Sequence, residues 1–285
     1  MARVDDRFLD CSIYLYPDID AARNGKKAGG SGFVVAISAM SHWIVGGKCP
    51  TPGMLHLYAV SNRHVVEKSP VVRLNTRDGR FDVCGFQSNE WTMSEDDDLA
   101  AIPLDYQTAH KYLAINTDDF LTEERVVTND VGVGDETFMA GRFINHEGAQ
   151  RNAPTIRFGN LSMMPIEPVL HSITSKMQES FLVEIHSIPG YSGSPVFVRP
   201  LPAARVPVSL STANTVMTGF GIAPQTNTSR IGGGPWLLGV EWGVITSQAR
   251  AITGMSGVVP AWRLMRLLEG NELRIKRAAE QAIHK

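Results

Sequence analysis

Residues 190–195, with the sequence GYSGSP, place Ser192 in a glycine-flanked turn directly before the β-type run VFV at 196–198. Small neighbours let the backbone bend sharply, and they let a substrate carbonyl group approach the N–H groups of the turn. A serine hydroxyl is a weak nucleophile unless a nearby base removes its proton. The turn therefore predicts that Ser192 is a nucleophile and that a base and its partner lie elsewhere in the chain.

Two upstream segments supply those groups. His64 lies in VSNRHVV at 60–66, and Asp98 opens the run DLAAIPL at 98–104. An imidazole is suited to accept the serine proton at neutral pH, and a buried carboxylate on its other nitrogen selects the tautomer and stabilises the imidazolium. The order His, Asp, Ser is one of the known orders for an acyl-transfer triad.

The other polar residues near these motifs receive plainer interpretations. Asp96 and Asp97 precede Asp98, but only Asp98 adjoins the apolar run, so the first two are predicted to be solvated loop charges. Four other histidines stand in no motif and are predicted to be ordinary residues: His56, His146, His171 and His186. Ser194 is a second serine in the turn and is predicted to be structural.

Short β-type runs separated by turn residues dominate the chain, a pattern that favours a sandwich or barrel over βαβ units. A helical spacing of apolar residues begins only at Ala261, and a polar span at 116–124 could join two lobes. The expected domains are residues 1–125 with His64 and Asp98, residues 126–260 with Ser192, and a helical tail at 261–285. Predicted strands lie at 12–16, 29–37, 55–60, 71–74, 100–102, 138–140, 181–185, 196–198 and 237–240.

The serine motif fits two known architectures differently. The nucleophile elbow of α/β-hydrolases reads G-x-S-x-G and joins a strand to a helix, and its histidine comes last in the chain. Here Ser194 replaces the last glycine, a strand follows, and the histidine comes first. These departures favour two β-barrels with the triad at their junction.

The chain resembles the trypsin-like serine peptidases, especially the bacterial branch with HtrA-type and glutamyl endopeptidases. GYSGSP matches the G-x-S-G-[GS]-P pattern of that family, SNRHVV at 61–66 resembles T-x-x-H-V-V, and DLA at 98–100 resembles its aspartate segment. GSGF at 30–33 and two glycine-containing segments at 134–141 and 254–260 match more weakly. The resemblance covers roughly residues 10–268.

The resemblance implies an all-β, chymotrypsin-like fold with two six-stranded antiparallel barrels and a C-terminal helix. It also implies roles for the motif residues. His64 would act as general base and then general acid, Asp98 would orient it, and Ser192 would attack. The backbone N–H groups of Gly190 and Ser192 would form the oxyanion hole.

Substrate-binding residues follow from the same resemblance. Residues 240–243, VEWG, resemble the strand that pairs with the substrate backbone and walls the P1 pocket, which implies roles for Glu241, Trp242 and Gly243. His186 stands six residues before Ser192, where an aspartate would select Arg or Lys. An acidic P1 residue or a small apolar one therefore remains open.

Tyr191 departs from the family in the position just before the nucleophile. Many secreted relatives carry an aspartate there, which binds a newly cut N-terminal ammonium group. A tyrosine offers no charge for that pairing at neutral pH. We therefore predict that N-terminal clipping does not activate this protein.

Composition narrows the function further. The 285 residues are 43% hydrophobic, carry a net charge of −2 and include three cysteines, which fits neither a nucleic-acid footprint nor a disulfide scaffold. No apolar run reaches the ~20 residues of a membrane span, and no zinc-type or phosphate-loop spacing occurs.

We expect a cytoplasmic serine endopeptidase without metal or cofactor. Its partners would be a polypeptide substrate and, as a further candidate, a regulatory protein, with no nucleic acid or membrane. A non-catalytic recognition or scaffold module and an esterase are the alternatives.

Overall fold

The computed structural model describes residues 3–38, 55–105, 107–143, 148, 150–185, 190–200, 234–246 and 252–283. Its first half forms one eight-stranded sheet, in the order β5-β4-β1-β2-β3-β7-β6, with β8 paired in parallel to β2. The strands are β1 (Ser12–Tyr16), β2 (Gly30–Ser38), β3 (Leu55–Ser61), β4 (Val71–Asn75), β5 (Phe81–Cys84), β6 (Thr92–Met93), β7 (Ala100–Leu104) and β8 (Ile115–Asn116). Two short helices, α1 (Ile19–Asn24) and α2 (Arg63–Val66), follow β1 and β3.

Both faces of β1 are buried, which explains its continuous run of β-forming residues. Ile13 and Leu15 join the apolar core of this half of the chain. The aromatic rings of Tyr14 and Tyr16 point to the opposite face and pack beside the guanidinium of Arg73. The alternation of side chains along a strand therefore separates an apolar core from an aromatic layer around a buried cation.

The second half forms a closed barrel in the order β10-β13-β16-β15-β14-β9. Its strands are β9 (Glu136–Arg142), β10 (Pro154–Met163), β13 (Phe181–Ile185), β14 (Pro195–Arg199), β15 (Trp236–Thr246) and β16 (Ile252–Pro260). A separate hairpin of β11 (Val169–Leu170) and β12 (Met177–Gln178) projects between β10 and β13.

The connection and the tail tie the two halves together. A 3₁₀ turn at Thr117–Asp119 and helix α3 (Glu123–Thr128) occupy the predicted connecting span. Helices α4 (Ala261–Leu268) and α5 (Asn271–Ile283) follow β16 and return to the first sheet. There the buried Arg277 donates to the Tyr58 hydroxyl at 3.0 Å and to the Leu268 carbonyl oxygen at 2.7 Å. None of the helices in the described residues is long and apolar enough to cross a membrane.

The chymotrypsin-like arrangement expected from the sequence is confirmed in outline. All nine predicted strands form, the second barrel has six strands, and helices end the chain. The first half departs from the predicted closed barrel, because within the described residues β5 and β6 each pair with a single neighbour and form the two edges of an open sheet. The sequence pattern also missed β10 and β16, where glycine and polar residues interrupt the apolar alternation.

Candidate active site

Asp98 lies just before β7 and is fixed by hydrogen bonds on its backbone. Its carbonyl oxygen accepts from Asn62 Nδ2 at 2.9 Å, and its N–H donates to Gln178 Oε1 at 3.0 Å. Asn62 belongs to the first half of the chain, whereas Gln178 comes from the β11–β12 hairpin of the second half. The carboxylate is therefore positioned by both halves, and its side chain is only 3% exposed.

His64 lies in α2, one turn after the end of β3. Both carboxylate oxygens of Asp98 bind His64: Oδ1 accepts from the His64 backbone N–H at 2.9 Å, and Oδ2 contacts His64 Nδ1 at 2.6 Å. Because an ionised carboxylate only accepts, Nδ1 carries the proton and Nε2 is left as the basic nitrogen. The His64 side chain is 14% exposed, so the ring borders solvent while its partner is buried.

His171 makes a third contact with the same carboxylate. It sits in the β11–β12 hairpin with no exposed side-chain surface, and its Nε2 lies 3.0 Å from Asp98 Oδ2. Its Nδ1 accepts from the backbone N–H groups of Ile173 and Thr174, each at 3.2 Å. The acceptor role of Nδ1 places the proton on Nε2, which therefore donates to Asp98.

These contacts keep Asp98 ionised. Burial opposes the charged form, but the hydrogen bonds from His171 and His64 outweigh it and hold the pKa of Asp98 well below its ordinary value. In its ionised form the carboxylate can orient His64 and stabilise the imidazolium form of its ring.

The same three side chains present ligand atoms within 4.8 Å of one another, a spacing that could also suit a metal ion. A metal on His171 Nε2 would force the proton onto Nδ1, where two backbone N–H donors already point. The 2.6 Å and 3.0 Å separations are hydrogen-bond lengths. The cluster is therefore a hydrogen-bonded network rather than a metal centre.

The turn that carries Ser192 is anchored to the first sheet by Ser31 of β2. Ser31 N donates to the Ser192 carbonyl oxygen at 2.8 Å, and Ser31 Oγ donates to the Gly190 carbonyl oxygen at 2.9 Å. Ser31 Oγ also accepts from the Arg142 backbone N–H at 2.9 Å. One buried serine thus connects β2, β9 and the serine turn.

Close packing explains why the turn needs glycine after Ser192. Gly193 has φ of +89°, and a Cβ atom there would lie 2.0 Å from the Ser31 carbonyl oxygen and 2.3 Å from Ser61 Oγ. Any other residue would combine backbone strain with a collision against the first sheet. The sequence motif therefore reflects contact between the two halves as well as the sharp bend.

Ser192 and the α2 segment meet across Gly30. A Cβ atom on Gly30 would lie 2.7 Å from a Val65 methyl carbon and 2.9 Å from the Ser192 carbonyl oxygen. The Ser192 hydroxyl itself donates to the Trp242 carbonyl oxygen at 3.2 Å, and no hydrogen bond joins it to His64 in the part of the chain described. That bond to Trp242 must break before the hydroxyl can give its proton to His64.

Tyr191, just before the nucleophile, is fully buried in the second barrel. Its hydroxyl contacts Thr155 Oγ1 at 2.5 Å and accepts from Arg157 Nε at 3.0 Å, both on β10. The guanidinium of Arg157 lies 5.2 Å from the centre of the Tyr191 ring. These contacts anchor the turn within its own barrel, and activation without a new N-terminus stays a prediction.

Asp97 is not the solvated loop charge that the sequence predicts. It is buried, and its Oδ1 accepts from Arg263 Nε of α4 at 2.9 Å and from Gln178 Nε2 at 2.8 Å. Arg263 also pairs with Glu179 at 3.4 Å. Helix α4 therefore links the loop before Asp98 to the β12 region of the second half.

The predicted substrate-binding residues are only partly brought together. Glu241 is fully buried, and its Oε1 accepts from Ser256 Oγ at 2.5 Å. The side chain is directed toward Ser256 of β16, and the role of Glu241 in substrate binding stays a prediction. Trp242 is also buried and stacks on His171 at a 4.0 Å ring separation, whereas Gly243 is partly exposed. His186 lies outside the described residues.

A groove of about 320 Å³ opens beside His64. The acidic loop at 95–98 and the segment 173–178 form two of its sides, and Lys68 and Lys176 add positive charge. The groove places a mixed-charge surface next to His64 and Asp98.

Sequence reasoning missed His171, Gln178 and the role of Ser31 in this site. Gln178 and His171 reach Asp98 from 80 and 73 residues away, and neither stands in a recognisable motif. Ser31 lies in the weakly matching GSGF segment, which was the only signal for it.

Comparison with known proteins gives matches among solved structures only. No protein-family profile matches the chain, and no curated protein matches it. Among solved structures, the HtrA-type protease AlgW with tripeptide is 14% identical with a TM-score of 0.47, and the alignment covers 92% of this chain and 61% of that one. AlgW with decapeptide is 16% identical with a TM-score of 0.45, covering 85% of this chain and 52% of that one. The chain therefore spans little more than half the length of these proteins, and the fold assignment rests on the strand topology described above.

Proposed function

We propose that this protein is a serine endopeptidase that hydrolyses peptide bonds through His64, Asp98 and Ser192. The observation that carries the proposal is the pair of hydrogen bonds from the His64 backbone N–H and Nδ1 to the Asp98 carboxylate, at 2.9 Å and 2.6 Å. These two bonds fix the ring orientation and leave Nε2 basic, which a general base for Ser192 requires.

The reaction follows from these roles. Ser192 Oγ attacks the carbonyl carbon of the scissile bond while its proton passes to His64 Nε2. The N–H groups of Gly190 and Ser192, which donate no hydrogen bond to the described residues, would stabilise the oxyanion. His64 then gives the proton to the leaving amine as the C–N bond breaks. Water hydrolyses the resulting acyl-enzyme by the same route in reverse.

The proposed substrate is a polypeptide that binds beside β15. Gly243 is the partly exposed residue of the segment 240–243, and its φ of +147° lies in the region that favours glycine. A side chain at this position would be strained and would crowd a strand laid against it. The P1 preference, a regulatory partner and a cytoplasmic location remain predictions from the sequence.

A non-catalytic module on the same fold is the second candidate. One observation favours it: the Ser192 hydroxyl is bonded to the Trp242 carbonyl oxygen and not to His64 in the described structure. Catalytic hydrogen bonds often tighten only when substrate binds, so the two candidates differ in reactivity rather than in resting geometry.

A fluorophosphonate probe separates the candidates, because it forms a covalent adduct only with an activated serine. We expect one adduct per chain, located at Ser192 by peptide mapping, and no adduct in Ser192→Ala. Ser194→Ala is the matched control, since it removes the second serine hydroxyl of the turn, which is buried. Absence of labelling in the folded wild-type protein would favour the non-catalytic module. If the wild-type protein does label, its turnover of peptide substrates compared with ester substrates separates an endopeptidase from an esterase.

A further inference from the structure

The geometry points to His171 as a positioning residue that holds Asp98 in the orientation and charge state needed by His64. This inference rests on the proposed function. It assigns a role to a histidine that lies outside the three motif segments and reaches the site from the β11–β12 hairpin.

The hairpin is built around the His171 ring. His171 N donates to the Lys176 carbonyl oxygen at 2.8 Å, and Ser175 N donates to the His171 carbonyl oxygen at 2.9 Å. The backbone N–H groups at 173 and 174 close on Nδ1. These contacts fix the tautomer, so that Nε2 is a permanent donor aimed at Asp98 Oδ2.

The ring is also held from its face. Trp242 stacks on His171 with the ring planes 22° apart, and Trp242 Nε1 donates to Ser180 Oγ at 3.0 Å. The carbonyl oxygen of the same Trp242 accepts the Ser192 hydroxyl. His171 thus touches both the carboxylate and the residue that holds the nucleophile, and it links the two ends of the triad.

The chemical consequence concerns Asp98 Oδ2, which accepts from two imidazole N–H groups at once. The second donor draws negative charge away from the bond to His64 Nδ1 and resists rotation of the carboxylate. A charge-assisted hydrogen bond of this kind accounts for a factor of roughly 10 to 100 in an equilibrium or rate. Loss of the donor should therefore leave the carboxylate free to rotate, which slows chemistry, although more of its negative charge then falls on the remaining bond to His64.

Two substitutions separate this role from packing. His171→Phe keeps an aromatic ring against Trp242 but removes the donor, whereas His171→Gln keeps an N–H donor near the Nε2 position. His110→Phe is the matched control, because His110 is another buried histidine whose Nε2 lies 3.0 Å from a carboxylate, that of Asp82, in the first sheet.

The experiment measures the rate and concentration dependence of fluorophosphonate labelling, together with the proton resonance of His64 Nδ1–H in ¹⁵N-histidine-labelled protein. His64→Gln assigns that resonance by its loss. We expect His171→Phe to lower the maximal labelling rate about 10- to 100-fold, with little change in half-saturation, and to move the resonance downfield. His171→Gln and His110→Phe should stay within about 3-fold of wild type in labelling rate, with the resonance in place.

Equal impairment of His171→Gln and His171→Phe would overturn the inference, as would wild-type labelling and an unmoved resonance in His171→Phe. If His171→Phe does not fold, the ¹⁵N shifts of wild-type His171 decide: a proton on Nδ1 instead of Nε2 contradicts the inference. A wild-type protein that does not label refutes the proposed function but not this inference. In that case the His64 Nδ1–H resonance still shows whether His171 acts on the Asp98–His64 bond.

Discussion

Replacement of Ser31 by alanine tests how the serine turn is held against the first sheet. Ser31 is fully buried, and its hydroxyl makes two bonds of 2.9 Å, to the Gly190 carbonyl oxygen and from the Arg142 N–H. Without the hydroxyl, two buried backbone groups lose a partner, at about 1–3 kcal/mol each. Partial relaxation of the turn would reduce the sum, so we expect a loss of about 2–4 kcal/mol in the free energy of unfolding.

The same substitution should affect reactivity, because the Gly190 carbonyl group belongs to the turn that presents the oxyanion donors. Complete loss of one such donor costs about 10²–10³ in rate, so a loosened turn should cost about 10- to 100-fold. The assay is the second-order rate constant of fluorophosphonate labelling, measured beside urea unfolding. Tyr58→Phe is the control, since it deletes a buried hydroxyl bonded to Arg277 away from the turn. Labelling of Ser31→Ala at the wild-type rate would refute the reasoning.

Three further predictions concern the surroundings of the site. Arg263→Met should lower the free energy of unfolding by about 2–4 kcal/mol, because Asp97 stays buried without its cation, and urea unfolding that matches wild type would contradict this. The folded-state pKa of Asp98 is lowered, so its contribution to stability is complete above the ordinary value of about 3.9 and is lost as pH falls below it. Asp98→Asn should therefore show a smaller drop in unfolding free energy between about pH 6 and pH 3 than wild type, and an equal drop would count against the assignment. The Tyr191 hydroxyl is bonded within its own barrel, so the intact protein and a form trimmed before residue 10 should have fluorophosphonate labelling rates within about 3-fold of each other. Labelling confined to the trimmed form would contradict that prediction.

Local motifs predicted the parts of the site that are contiguous in sequence. The GYSGSP turn, the histidine segment and the aspartate segment each combine a reactive residue with an adjoining β-type run, and that pattern is visible without coordinates. The His64–Asp98 contact followed from the chemistry that the two residue types share. The strands with unbroken apolar runs were predicted for the same reason.

Long-range contacts explain what the sequence could not indicate. The role of His171 depends on a hairpin that crosses to the first half of the chain, and no local period encodes that crossing. The burial of Asp97 depends on Arg263, which lies 166 residues later. The inward orientation of Glu241 depends on the hydrogen bond from Ser256 Oγ on β16, a strand whose glycine and polar residues hid it from pattern analysis.

The central claim is that His64 and Ser192 act as one unit, and a double-mutant cycle on peptide cleavage tests it most directly. Residues of a triad are strongly non-additive, so Ser192→Ala, His64→Ala and the double variant should each lower kcat by a similar factor, roughly 10⁶. A double variant whose loss equals the product of the two single losses would contradict the account.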